Sequence, residues 1–136
     1  ADAYRALLDD PHVGTERKAI AATSLAEVLI MTQQPVEGME ALKQSIQLDP
    51  GNPLPFERRA MLYSMLGRKD EAISDYGRAI QLAPNSGPLY LGRAALYQEV
   101  GNSAVAMEDL KQAQALFAND DPRQEQLRKM MEQMAH

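Results

Sequence analysis

The chain has 136 residues, 45% of them hydrophobic, and a formal charge of −5; this fits one domain able to bury a core and excludes a broad basic footprint for nucleic acid or an anionic membrane surface. Without cysteine there is neither a disulfide framework nor a thiolate metal site, and no run approaches the roughly 18 apolar residues of a spanning helix. Abundant Ala, Leu, Met, Gln and Glu, with no Trp and few β-branched residues, favour helices over strands, so an all-α chain is expected.

Residues 1–18 read as an N-terminal cap segment. Residues 2–9 predict a short helix with Tyr4, Leu7 and Leu8 turned inward, His12 follows in a proline turn, and Thr15 starts a longer helix. The opening ADAYRALLDD lacks the basic and then apolar run of a signal peptide. A soluble chain is expected, with the cytoplasm favoured and the periplasm open if a leader has been removed.

From here the chain repeats itself with a period of 34 residues. Residues 56–85 align without a gap on 90–119 at ten of thirty positions, among them Arg59/Arg93, Ala60/Ala94, Leu62/Leu96, Tyr63/Tyr97, Gly67/Gly101, Ala72/Ala106, Asp75/Asp109 and Ala79/Ala113. A weaker copy lies at 22–51, where IQLDP answers IQLAP. Three units therefore tile residues 19–52, 53–86 and 87–120.

Each unit predicts two antiparallel helices. In the second, one helix runs over about 54–66, Gly67 supplies the left-handed turn residue, a second helix covers about 70–82, and Pro84 stops it. Small residues recur where helices must approach closely: Ala26, Ala60 and Ala94 on the first helix; Gly38, Ala72 and Ala106, then Ser45, Ala79 and Ala113, on the second. Phe56, Tyr63, Tyr76 and Leu82 fill the space around them. One helix pair cannot bury its apolar face alone, so stacking on the next unit makes the core. Arg59 with Asp75, and Arg93 with Asp109, hold matching places on the two helices of their units, whereas the first unit has Leu25 and Ala41 there. Joint presence and joint loss predict a structural ion pair between the helices.

Residues 121–136 predict a C-terminal capping helix, with Asp121 as N-cap and Pro122 in the first helical place. Leu127, Met130, Met131 and Met134 share one face and would cover the last unit.

Phe56, Ala60, Tyr63, Gly67, Ala72, Tyr76, Ala79 and Pro84 together resemble the tetratricopeptide repeat (TPR) family. Residues 87–120 carry Tyr90, Ala94, Tyr97, Gly101, Ala106, Leu110 and Ala113, with Ala118 in place of the proline; the first unit departs most, with Ala22, Leu29, Gln33 and Gly38 at signature places. The resemblance implies a right-handed α-solenoid of three helix-turn-helix units between N- and C-terminal caps. It also implies a concave groove, lined by the first helices, that holds an extended or helical protein or peptide segment. By position the lining is Thr23, Glu27, Ile30 and Met31 from the first unit, Leu54, Glu57, Arg58, Met61 and Met65 from the second, and Leu91, Ala95, Gln98 and Glu99 from the third. Methionine and aliphatic side chains suit an apolar anchor of the partner, and the three carboxylates suit a basic or amide-rich flank.

The same resemblance argues against the family's grip on acidic heat-shock C-termini, because Thr23, Glu27, Arg58, Pro88 and Gly92 stand where that carboxylate clamp has Lys and Asn, then Asn, then Lys and Arg. Catalytic chemistry has no starting point: there is no glycine-rich phosphate loop and no paired His at metal spacing, His12 and His136 stand without an acid and hydroxyl set, and Arg68 to Glu71 read as a solvated turn. No enzyme, metal or cofactor is expected. A non-enzymatic scaffold or interaction module is the favoured reading. The alternatives are structural self-assembly through the array ends, giving a homo-oligomer, and a type III translocator-type secretion chaperone, a group similar in having three TPR units and a closing helix.

Overall fold

The computed structural model describes residues 2–135, and His136 lies outside the described residues. Among them the chain forms α1 (Asp2–Asp9), α2 (Thr15–Met31), α3 (Pro35–Leu48), α4 (Pro53–Met65), α5 (Lys69–Leu82), α6 (Gly87–Glu99), α7 (Ser103–Leu116) and α8 (Arg123–Ala135), and no strand. None of these helices is long and apolar enough to cross a membrane. Among the described residues, backbones approach most closely between helices consecutive in the chain, above all within the pairs α2/α3, α4/α5 and α6/α7. That is a quasi-one-dimensional stack, an all-α helical-repeat solenoid.

The three pairs turn by one device. Gln33, Gly67 and Gly101 have φ of 61°, 77° and 84°. Beyond each, the backbone N–H of Gln34, Arg68 or Asn102 donates to the carbonyl of Leu29, Tyr63 or Tyr97 at 2.7–2.8 Å, closing the helix end as a Schellman motif does. The small residues do what their spacing predicts: Ala26, Ala60, Ala94, Ala72, Ala106, Ser45, Ala79 and Ala113 are all fully buried. The backbones can approach there because no larger side chain intervenes.

Interlocking of units is visible in the core clusters. Leu62 of α4 is buried among Leu25, Ala26, Leu29, Ala41 and Leu42 of the first unit. Its equivalent Leu96 is buried among Phe56, Ala60, Ala72 and Tyr76 of the second. The second and third units thus each plug one leucine into their predecessor, contributing ~2 kcal/mol of apolar burial per side chain. At the end, Leu127 of α8 is buried against Ala94, Leu110, Ala113 and Phe117, with Met130, Met131 and Met134 half-buried beside it, so α8 covers the third unit.

The caps differ in detail from the sequence expectation. The helix assignment of α8 starts at Arg123 rather than Pro122, but Asp121 Oδ1 accepts the Arg123 N–H at 2.9 Å, so Asp121 does cap it. In α1, Tyr4 and Leu8 lean on the first unit's core, whereas Leu7, expected inside, is 41% exposed. An eight-residue helix packed mainly on α2 has one narrow inward face, which carries Tyr4 and Leu8, and Leu7 lies off it.

Candidate functional site

The first helices α2, α4 and α6 carry the thirteen residues assigned to the groove. Met31, Met65 and Met61 are exposed at 82, 71 and 45%, and Leu54 and Glu99 are exposed too. Glu27, Glu57, Arg58, Ala95 and Gln98 are half-buried. Arg58 Nε donates to Glu27 Oε1 at 2.8 Å, which places the first-helix faces of the first two units side by side. Met61 joins that cluster, its sulfur accepting from Arg58 Nη1 at 3.7 Å.

Three assignments need correction or refinement. Thr23 is buried: its hydroxyl donates to the Ala19 carbonyl at 3.1 Å and lies 2.8 Å from Ser45 Oγ, which itself donates to the same carbonyl. Ser45 stands where the other units have Ala79 and Ala113, so a polar group in the packed seam draws Thr23 inward to satisfy it. Ile30 leans on the first unit's core and presses on Gly38, where an added Cβ would meet its Cγ1 at 2.9 Å. Leu91 packs against the third unit's cluster.

Electrostatics also differ from a bare acidic groove. Arg58 pairs with Glu57 at 3.3 Å as well as with Glu27, and Lys69 Nζ meets Glu99 at 3.4 Å. Every carboxylate of the set has a cation in contact. Gly92 has a packing reason to lack a side chain: a Cβ there would stand 2.7 Å from the Tyr76 ring, so none fits without moving a core aromatic.

Sequence reasoning missed Ile20, which is 56% exposed on α2. The signal was available, because Ile20 precedes the assigned Leu54 by one full period. With Tyr4, Leu7, Arg17, Ala21 and Ser24 it lines an apolar notch of about 290 Å³ between α1 and α2. Among the described residues no cluster of His, Asp or Glu could hold a metal ion.

A family model for the tetratricopeptide repeat matches residues 56–86. No curated protein sequence matches the chain. Among solved structures, the first TPR of Spaghetti (RPAP3), bound to the HSP90 peptide SRMEEVD, is 22% identical with a TM-score of 0.79, over 89% of this chain and 98% of that one. The TPR2B domain of yeast Sti1, in a complex with pHsp70, is 21% identical with a TM-score of 0.79, over 86% and 95%. The Yersinia enterocolitica type III secretion chaperone SycD, in complex with a peptide of the translocator YopD, is 19% identical with a TM-score of 0.77, over 99% and 94%. The signature residues of the second unit, the turn and seam geometry of the three units and these backbone likenesses agree: residues 56–86 match the tetratricopeptide repeat, and the chain has the fold of TPR domains.

Proposed function

We propose that the chain is a non-enzymatic interaction module that holds a partner peptide or helix along the face of α2, α4 and α6. One observation carries the reading: Met31, Met61, Met65 and Leu54, with Ile20, stay exposed on the first helices α2 and α4. A surface row of that kind is costly in water and marks contacts, and flexible thioethers adapt to varied apolar anchors. Several structural neighbours are complexes with peptides, which supports the same use of the fold.

The partner is not an acidic heat-shock tail. Thr23 is buried, Glu27 and Arg58 neutralise one another, and Gly92 has no room for a side chain, so the cationic grip is missing. Because the three carboxylates already have cations, apolar anchors outweigh a basic flank in choosing the partner.

The test is capture from native lysate by the tagged chain and by a Met61→Lys, Met65→Lys variant that remains helical by circular dichroism. A partner lost only from the variant supports the reading. Equal capture by both moves the site elsewhere, and light scattering that finds a concentration-dependent oligomer with no other partner favours self-assembly.

A further inference from the structure

Resting on the groove reading, we infer that the notch between α1 and α2 is an anchor pocket for one apolar side chain of the partner segment, and that an acidic residue of the same segment sits beside that anchor. The pocket is built rather than accidental. Tyr4 and Leu8 hold α1 on the first unit's core, which fixes Leu7 against Ile20 across the opening. Leu7 and Ile20 are left exposed as its walls, and Tyr4 and Ala21 close it. At about 290 Å³ it falls at the lower bound of small-molecule pockets, a size suited to one side chain rather than a cofactor.

Charge decides the neighbour of that side chain. Arg17 lines the notch, and among the described residues it has no ion-pair partner. Glu16, next to it in sequence, does not line the cavity. Elsewhere on the first-helix face Arg58 is already engaged by Glu27 and Glu57. Arg5 and Lys18 are also outside the ion pairs described, but of these cations only Arg17 lines the notch, and a carboxylate next to an apolar anchor satisfies both features at once. The segment lies with its acidic and apolar pair at the α1 end and its remaining apolar residues toward Met61 and Met65.

The experiment selects a library of short random peptides displayed on phage against the intact chain, then measures the enriched peptides by fluorescence anisotropy on wild type, Ile20→Lys, Arg17→Glu and Met61→Lys, Met65→Lys. Ile20 and Arg17 are surface residues, and circular dichroism checks that the variants fold. The expected peptides carry Leu, Met or Phe next to Asp or Glu; Ile20→Lys weakens them about tenfold or more, as losing one buried apolar side chain does. Arg17→Glu weakens them and restores binding to peptides with Lys in place of the acid. Binding that survives Ile20→Lys but not the methionine variant overturns the pocket and leaves the groove reading standing. Enriched peptides without the apolar and acidic pair also overturn the pocket. Binding indifferent to all three variants, or no enriched peptide at all, overturns both readings. A dimer of the free chain that Ile20→Lys dissolves shows the notch occupied by a second copy and overturns the proposal.

Discussion

Arg59 of α4 and Asp75 of α5 face each other across the second unit, Nε to Oδ2 at 2.7 Å and Nη2 to Oδ1 at 2.8 Å, and the same fork recurs between Arg93 and Asp109. Asp75 and Asp109 are buried, and each guanidinium lies over two aromatic rings of its own helix, Phe56 and Tyr63 or Tyr90 and Tyr97. The hydrogen bond to the aspartate holds each arginine above its ordinary pKa against the opposing effect of burial. In the first unit Leu25 and Ala41 stand in these places inside one apolar cluster. Arg59→Leu alone leaves a buried carboxylate without its partner and is expected to cost ~2 kcal/mol. Arg59→Leu with Asp75→Ala, the first unit's solution, is expected to cost less. Urea unfolding of the two variants decides, and a double variant as unstable as the single one removes the pairing from the account.

The turn residues make a second prediction. Gln33 holds the left-handed conformation that Gly67 and Gly101 hold without steric penalty. Gln33→Gly should therefore stabilise the chain by ~1 kcal/mol, and Gly67→Ala should destabilise it by a similar amount. A denaturation midpoint for Gln33→Gly at or below wild type would mean that Gln33 contributes something its backbone angle does not show.

Tyr76 and Gly92 make a third. The Tyr76 ring occupies the space of a Cβ at position 92, across the α5–α6 junction between units. Gly92→Ala is expected to cost ~2 kcal/mol by forcing that ring out of its packing, beyond any gain from helix propensity. An unchanged thermal midpoint would show that the junction yields freely.

Asp121 makes the pH prediction. The Arg123 side chain, and then its backbone N–H, hold the Asp121 carboxyl at about 2, below its ordinary value of 3.8. A depressed acid contributes stability that is present above the unfolded value and lost as pH falls through the folded one. Fraying of the start of α8 is therefore expected between pH 3.8 and about 2, and Asp121→Asn should move part of that fraying to neutral pH. Carbon-detected titration of the Asp121 carboxyl checks it; an ordinary midpoint would remove the cap from the account of how α8 closes the third unit.

Architecture was legible because its causes are local or periodic. Buried alanines at fixed offsets, glycines at the turns and a replaced Arg and Asp pair all follow from the period of 34 residues. The candidate site was legible only in part. Exposure of Met31, Met61 and Met65 follows helix register, but Thr23 turns inward because Ser45, 22 residues later, needs a polar partner in the seam. The Glu27–Arg58 and Lys69–Glu99 pairs join residues about a unit apart whose side chains meet only after stacking, and no short-range pattern announces them. Ile20 was within reach of the same register that pointed to Leu54, and was missed because the first unit departs most from the repeat.

The most direct measurement places a photo-reactive side chain at Met61 on the first-helix face and, separately, at the exposed Gln112 of α7, then compares the partners crosslinked in native lysate. Crosslinks from Met61 and none from Gln112 are the expected result. Crosslinks from Gln112 with Met61 silent would contradict the assignment of the binding face to α2, α4 and α6.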